Sequence, residues 1–454
     1  MKKKETKLHP DVVRMPLVHP HAAGIDVGDK LHSVAIPAGI FPQRVKTFGT
    51  MTCDLEGIAD WLLQASITTV AIESTGVYWK PIFSLLNKKG LEVYLVNSRQ
   101  TKSVSGRKTD EDDAMWIQKL HSCGLLKSSY LPDDEQEALR TLVRYRHTLV
   151  QDCSRFKNRM QKSLELMNIR FHTLFADIAG KTSSAFIEAI LAGERDPAKF
   201  LPLVDGRIKA SKQEILQSVV GTWRSEHLFT LAQSYEMSKI YNEKISTCDK
   251  AIEERLQCYQ AFANEGVCDE QNKAIGKPPI KKKKQRGAPV FNVRSYLQKI
   301  YKVDVLAIYG LSEMGGLEIL AETGVDLKKW PTPNHFKSWL NLCPNNKISG
   351  GKLISSKLLK KKPNAASQAF RIAANTLQRS NHWLGDYFRR MKARGGNKFA
   401  VVATANKIAA IFYKMVTQQQ EFKPVDLEAY QQKYKQAKIA FYEKKLQQLK
   451  NVAA

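Results

Sequence analysis

The chain has 454 residues, 43% of them hydrophobic, which is enough for two or three domains with separate apolar cores. Its 71 Lys and Arg exceed its 44 Asp and Glu and give a formal net charge of +27, which indicates a polyanionic partner such as nucleic acid. No run of about 18 apolar residues and no signal sequence is found, and the seven cysteines lack zinc-type spacing, so a soluble cytoplasmic protein is expected and a membrane protein is not.

Residues 1–19 are expected to form a basic tail, and the first domain is predicted over 20–125. In this region short β-branched runs alternate with amphipathic helical segments. Such alternation predicts an α/β domain with a mixed sheet. Strands are expected at 24–27, 33–36, 44–48, 69–73 and 91–96, and helices near 55–62, near 82–87 and from 113 onward.

Four carboxylates stand out in this domain. Asp26 lies within an apolar strand, Glu73 ends another strand, and Asp110 and Asp113 share one face at the start of a helix. Each alone has an ordinary explanation, as a salt-bridged strand residue or a partner of the helix dipole. Together they match the arrangement of a ribonuclease-H-like (RuvC-like) nuclease, in which such a cluster binds two Mg²⁺ ions that activate phosphoryl transfer.

Two alternatives remain open for this region. Glu111 and Asp112 adjoin the helical pair, so the ligand set is not unique. Gly24 and Gly28 around Asp26 also resemble the first phosphate loop of actin-like sugar kinases. The strong positive charge and the lack of a second glycine-rich phosphate loop argue against a kinase.

The segment 132–262 is predicted to be a long helical arm or coiled coil with a middle segment, from residue 170 onward, that matches no recognisable pattern. Leu142, Leu149 and Phe156 repeat at seven residues, and a second helical pattern runs from Leu228 to Leu256. These patterns indicate an antiparallel or intermolecular coiled coil, with a simple helical bundle as the alternative. The other faces of the first helix carry basic residues that could cover a phosphate backbone: Arg140, Arg144, Arg155, Lys157, Arg159 and Lys162.

A basic linker is predicted over 263–289, where Gly and Pro interrupt any helix. Its cationic run is a candidate nucleic-acid contact, or else a solvated flexible segment. The run consists of Lys281, Lys282, Lys283, Lys284 and Arg286. A mostly helical domain is expected over 290–420, followed by a polar helical tail over 421–454.

Several segments of the C-terminal domain are recognisable: 339–344, 347–352, 366–374, 384–390 and 404–409. They resemble the C-terminal domain of bridge-RNA-guided insertion-sequence transposases, which include relatives of the Piv-type DNA invertases. Residues 303–305, 322–324 and 108–114 resemble further segments of that family. The likeness covers roughly residues 20–120 and 290–415, and the block around Ser349 is its most specific part.

The resemblance implies that the first domain binds the metal and that the C-terminal domain supplies the nucleophile. The family's metal-binding carboxylates correspond to Asp26, Glu73, Asp110 and Asp113. Its catalytic serine, which attacks a DNA phosphate to give a covalent intermediate, corresponds to Ser349, with Ser356 as the alternative. Lys352, beyond Gly350 and Gly351, is a candidate for neutralising the phosphate; without the resemblance, Ser349 would be an ordinary turn residue.

The expected activity is that of a transposase or recombinase that cleaves and rejoins DNA strands with Mg²⁺. The resemblance implies donor and target DNA as partners, and a guide RNA from the element that pairs with both. A homo-oligomer, either dimer or tetramer, is expected in the prokaryotic cytosol near the nucleoid. The alternatives are a junction or RNA:DNA nuclease that does not join strands, and a nucleic-acid-binding protein without activity.

Overall fold

The computed structural model describes residues 16–101, 110–264, 287–360 and 364–453. The chain divides into two compact units, 1–131 and 132–454. The cationic run Lys281–Lys284 with Arg286 lies outside the described residues, as does most of the predicted basic tail.

The first unit combines one sheet with helices on both of its faces. Its described elements are β1 Ala22–Val27, β2 His32–Ala35, β3 Val45–Phe48, α1 Thr52–Gln64, β4 Thr69–Glu73, α2 Trp79–Lys88, β5 Glu92–Val96, α3 Ser98–Thr101 and α4 Asp110–Ser122. The strand order is β3-β2-β1-β4-β5, antiparallel from β3 to β1 and parallel from β1 to β5. The mixed sheet expected from the sequence is therefore confirmed.

Alternation along the strands assigns each side chain to one of two layers. On one face, Ile25 and Ile72 belong to the large core that also contains Ile58 of α1 and Ile82 of α2. On the other face, Ala71 and Val96 pack with Ile117 of α4. Residues of β4 that are an even number of positions from Ala71 therefore lie on the same face as Ala71, which α4 covers.

The second unit is mostly helical. Its α-helices are α5 Asp134–Leu166, α6 Lys181–Leu191, α7 Lys212–Ser218, α8 Ser225–Asn264, α9 Val293–Tyr301, α10 Glu313–Thr323, α11 Pro333–Trp339, α12 Ala365–Thr376, α13 Trp383–Gln418 and α14 Leu427–Ala453. Short 3-10 helices cover Phe171–Thr173, Pro197–Leu203, Val305–Ala307 and Leu377–Arg379. A hairpin of β6 Asn345–Ser349 and β7 Lys352–Lys357 interrupts this helical unit.

Helices α5 and α8 form an antiparallel arm within one chain. Arg146 of α5 is ion-paired with Asp249 of α8, and both side chains are buried. Toward the other end, the rings of Phe156 and Tyr241 contact each other in a tilted arrangement, with 5.4 Å between centroids. The antiparallel alternative from the sequence thus describes the pairing seen here.

The segment between the two arm helices, residues 168–224, forms an end module with its own aromatic core. Phe186 contacts Phe171 and Phe200 with centroid separations of 5.3 and 5.1 Å. Met160 of α5 and Leu231 of α8 complete this core. The module therefore caps the arm by burying apolar side chains of both helices.

Three of the six basic residues proposed as phosphate contacts on α5 instead have acidic partners. Arg144 donates through Nε and Nη2 to the two carboxylate oxygens of the buried Glu322, at 2.8 and 2.9 Å. Arg140 donates through Nη2 to the Glu322 carbonyl oxygen at 3.0 Å, and Arg155 bonds Asp152 at 2.6 Å. In this structure Arg140 and Arg144 attach the arm to α10, which is a structural role.

Helix α13 is the central helix of the C-terminal body, and its buried Phe412 packs against Phe370 of α12 with ring centroids 5.6 Å apart. In the described part of the chain it alone is long and apolar enough to cross a membrane, contrary to the expectation that no such stretch exists. Half of that apolar window is buried inside the protein, as in a core helix. Non-helical backbone at Gly395 and Gly396 also divides the helix into two segments.

Candidate active site

Asp26 and Glu73 are neighbours at the carboxyl ends of two parallel strands. The register of β1 with β4 pairs Gly24 with Ala71 and Ile25 with Ile72, so Asp26 stands opposite Glu73 one step further along. Adjacent strands lie about 4.8 Å apart, and paired residues share a face. Because Ala71 faces α4, Glu73 and Asp26 face α4 as well.

Helix α4 lies against β1 at Gly24. A Cβ atom at this position would come within 2.3 Å of the Gln118 backbone nitrogen and 2.5 Å of the Ala114 carbonyl oxygen. Gln118 also donates through Nε2 to the Ala22 carbonyl oxygen at 3.2 Å. The helix therefore runs antiparallel to β1, and its first turn, with Asp110 and Asp113, lies beside Asp26.

The four carboxylates interact electrostatically around Asp26. Burial raises the pKa of Asp26 to about 6, with further contributions from the negative charges of Glu73, Asp110 and Asp113. The side chain is half-buried at the one incompletely buried position of β1. Negative charge is thus concentrated at one end of the sheet, where a cation would relieve it.

Two residues that the sequence analysis missed orient this site. Thr101 is buried, and its Oγ1 donates to Glu73 Oε2 at 2.7 Å. Trp116 of α4 donates through Nε1 to the Thr101 carbonyl oxygen at 2.9 Å. No local pattern marks Thr101, whereas Gly24 within a β-branched strand is a sequence signal of close backbone approach.

The donor set fits a hard cation. Carboxylate oxygens are the ligands that Mg²⁺ prefers, and the mutual repulsion at Asp26 is the condition that such an ion would remove. Within the described ranges, however, no three His, Cys, Asp or Glu side chains are already grouped closely enough to hold a metal ion. The carboxylates therefore share an electrostatic field without forming a closed coordination shell.

Gly24 and Gly28 have structural roles that weaken the kinase alternative. Gly24 admits α4, as described above. Gly28 lies in the turn between β1 and β2, where its nitrogen donates to the Leu31 carbonyl oxygen at 3.0 Å. Neither glycine requires a phosphate ligand to explain it.

Ser349 lies at the end of β6, immediately before the tip of the exposed β6–β7 hairpin. Gly350 and Gly351 form the turn with φ angles of +53° and +74°, and a Cβ atom at either would meet open space. Two successive positive φ angles are typical of a type I′ hairpin turn, which favours glycine. The turn thus presents Ser349 on an accessible ribbon.

The pairing register separates the hairpin into two faces. Ser349 pairs with Lys352, Lys347 with Ser355 and Asn345 with Lys357, and these side chains share what we term the lysine face. Ile348 pairs with Leu353 and Asn346 with Ser356 on the opposite side, the apolar face, with an irregularity between Lys347 and Ile348. Ser356 donates through Oγ to Asn346 Oδ1 at 2.8 Å. Ser349 and its alternative Ser356 therefore lie on opposite faces.

The base of the hairpin is fixed to the helical body. Asn341 donates through Nδ2 to the Leu359 carbonyl oxygen at 3.1 Å, which joins the segments entering and leaving the hairpin. Arg371 of α12 donates to the Asn341 carbonyl oxygen at 3.1 Å, and Asn406 of α13 to that of Leu342 at 3.0 Å. The ribbon is exposed, but hydrogen bonds from α12 and α13 hold its base.

Comparison with known families matches two parts of the chain. A family described as Transposase, of the IS110 DEDD type, matches residues 23–169. The family described as Transposase IS116/IS110/IS902 matches residues 304–389. Among curated proteins, none matches the chain. The first match includes all four carboxylates, and the second includes the hairpin.

Proposed function

Since the chain is a transposase of the IS110 type, we propose that it cleaves and rejoins DNA strands. In this proposal Ser349 is the nucleophile. The ligands of Mg²⁺ are the four carboxylates of the first unit: Asp26, Glu73, Asp110 and Asp113. The observation that carries the metal site is geometric: the strand register sets Asp26 opposite Glu73, and the close approach of α4 at Gly24 brings Asp110 and Asp113 beside them, with the raised pKa of Asp26 in support. The sheet order and strand directions support a ribonuclease-H-like, RuvC-like domain. Bound Mg²⁺ would polarise the phosphate and stabilise the leaving oxygen.

The protein's own groups have distinct roles in this scheme. The Ser349 Oγ bonds to phosphorus and loses its proton, while the P–O ester bond of the DNA breaks and the displaced oxygen gains a proton as a hydroxyl. The phosphoserine linkage preserves the energy needed for rejoining. Lys352, paired with Ser349 on the lysine face, neutralises charge on the attacked phosphate.

The proposed partners are donor and target DNA, and a guide RNA from the element. The formal charge of +27 supports polyanionic partners. The guide RNA and a homo-oligomeric assembly are proposals that depend on the sequence resemblance. A site of action in the prokaryotic cytosol accords with transposition of a mobile element.

A comparison of serines tests the nucleophile. Ser349→Ala should abolish strand joining and any covalent protein–DNA adduct. Ser356→Ala should retain both, because Ser356 lies on the opposite face and bonds Asn346. Ser355→Ala is the stricter control, since Ser355 shares the lysine face but lies away from the tip.

The measurement is a denaturing gel of protein with labelled substrate, followed by mass spectrometry of the adduct peptide. An adduct mapped to another residue would refute the role of Ser349. Mg²⁺-dependent cleavage that survives in Ser349→Ala without joining would instead favour the nuclease alternative. Binding without any cleavage in the wild type would favour the non-enzymatic one.

A further inference from the structure

The apolar face of the β6–β7 hairpin is unusual for its exposure. Ile348 is 66% exposed and its partner Leu353 is 59% exposed. They form a cross-strand pair directly adjacent to the Ser349–Lys352 pair. Large apolar side chains presented together on a ribbon in this way mark a contact surface.

The charge of the ribbon indicates what contacts this surface. Between residues 345 and 360 the sequence carries Lys347, Lys352, Lys357 and Lys360 and no acidic residue. An anionic partner is therefore favoured. DNA offers phosphates for the lysines and, between stacked bases, an apolar surface for Ile348 and Leu353.

We propose that Ile348 and Leu353 form a wedge that enters a base step of the DNA beside the phosphate approached by Ser349. This inference rests on the proposed function, in which Ser349 attacks a DNA phosphate. The pair lies one residue step from Ser349 but on the opposite face of the ribbon, so the tip enters the DNA with its lysine face toward the phosphates and its apolar face toward the bases. The wedge opens the stack so that the cut strand can leave its partner.

A fluorescence experiment tests the wedge without any chemistry. The full-length protein carrying Ser349→Ala, with its co-purifying nucleic acid retained, is bound to duplexes that span the junction of the element's end with flanking DNA and carry 2-aminopurine at successive positions. Binding of the protein should raise the 2-aminopurine fluorescence at one base step, where the wedge separates the stacked bases. Adding Ile348→Ser and Leu353→Ser should reduce that rise by about fivefold or more, because the apolar wedge is lost.

Two further variants control for folding and for general loss of apolar surface. Ile348→Met with Leu353→Met keeps an apolar wedge and should retain the fluorescence rise. Ile372→Ser removes a similar side chain, 51% exposed on α12, and should also leave the rise unchanged. We call the protein with Ile348→Ser and Leu353→Ser the Ser double variant. A fluorescence rise in this variant equal to that of the protein with Ser349→Ala alone would overturn the proposal.

Strand joining by protein with an intact Ser349 separates this inference from the proposed function. The Ile348→Ser, Leu353→Ser protein should join a fully paired substrate about tenfold more slowly, a barrier increase of roughly 1.4 kcal/mol, and should recover on a substrate with two mismatched bases at the step. Ser349→Ala should recover on neither. Joining by Ser349→Ala would refute the nucleophile, while the fluorescence result would still decide the wedge.

The competing occupant of the apolar face is a second copy of the chain. If the Ser double variant changes the oligomeric state of DNA-free protein in light scattering and leaves the 2-aminopurine signal intact, the face is a contact between copies and the wedge is refuted. An unchanged oligomeric state with a lost signal supports the wedge.

Discussion

Asp26 is the residue at which the proposed metal-binding role opposes the stability of the fold. Its folded-state pKa of about 6 exceeds the ordinary value of 3.8, so the folded protein binds this proton more tightly than the unfolded chain does. The resulting stabilisation is fully present below pH 3.8 and is lost as pH rises through about 6. At neutral pH the ionised Asp26 therefore destabilises the metal-free protein relative to a neutral side chain.

We accordingly expect Asp26→Asn to stabilise the metal-free protein at pH 7.5 and to have little effect at pH 4. The pKa shift corresponds to roughly 3 kcal/mol, which solvent screening of a half-buried group reduces to about 1–2 kcal/mol. Chemical denaturation at the two pH values, with EDTA present, measures it. Addition of Mg²⁺ should reverse the order by stabilising the wild type more than the variant.

The control for this prediction is Asp60→Asn on α1, where the carboxylate is exposed and lies 3.8 Å from Lys89. Its effect should stay within about 0.5 kcal/mol at both pH values. A loss of stability in metal-free Asp26→Asn at pH 7.5 would show that the ionised Asp26 does not destabilise the protein.

Single residues of the candidate site could be predicted where a charged side chain occurs in an otherwise apolar segment. A carboxylate in an apolar strand identifies Asp26, and a carboxylate before a turn identifies Glu73. Thr101 could not be found in this way, because its bond to Glu73 joins residues 28 positions apart and exists only after folding.

The position of α4 depends on one missing side chain. Gly24→Ala would place Cβ against the backbone of α4 at Ala114 and Gln118, which cannot be relieved by a rotamer change. The helix should shift away from β1, which would increase the distance of Asp110 and Asp113 from Asp26. We expect a loss of about 1–3 kcal/mol in unfolding free energy and a fall of about a hundredfold in Mg²⁺-dependent cleavage.

Gly57→Ala in α1 is the matched control. The nearest atoms to its added Cβ are those of the Phe48 ring, at 3.9 and 4.0 Å, so the methyl group fits. Alanine in a helix interior should stabilise the protein by about 0.5–1 kcal/mol with cleavage retained. A fully active and stable Gly24→Ala protein would show that the approach of α4 is not required.

Among the elements, the strands of the first sheet and the two long arm helices were predictable because hydrophobic periodicity is local. The partners of charged residues were not. Arg140 and Arg144 looked available for phosphate, yet Glu322, which both bind, lies 178 positions beyond Arg144. The end module was also unmatched in the sequence, since its aromatic core gathers residues from several short helices.

For the whole molecule, positive charge should make nucleic-acid affinity strongly dependent on salt. Each neutralised phosphate contributes about −0.9 to the slope of log affinity against log salt concentration. If Lys281 to Lys284 all contact phosphate, their replacement by Gln should make that slope shallower by about 3 to 4. Fluorescence anisotropy of labelled duplex across a salt series measures it.

The control removes the same charge from another place. Lys435, Lys438, Lys444 and Lys445 of α14 are exposed, and their replacement by Gln lowers the net charge by the same amount. A shallower slope only in the linker variant indicates local contacts. Equal changes in both variants would mean that net charge alone matters and that the run is a solvated linker.

The end module leaves and rejoins the arm at almost the same point. The backbone nitrogen of Thr222 donates to the Met167 carbonyl oxygen at 2.8 Å. The backbone nitrogen of Arg170 donates to the Ser218 carbonyl oxygen at 2.7 Å. The chain between these contacts closes on itself, so its length can change at little entropic cost and without altering the register of α5 against α8. A different domain could therefore be inserted at this position, provided that it covers the arm side chains that the end module now buries, among them Met160, Leu164, Leu231 and Tyr235.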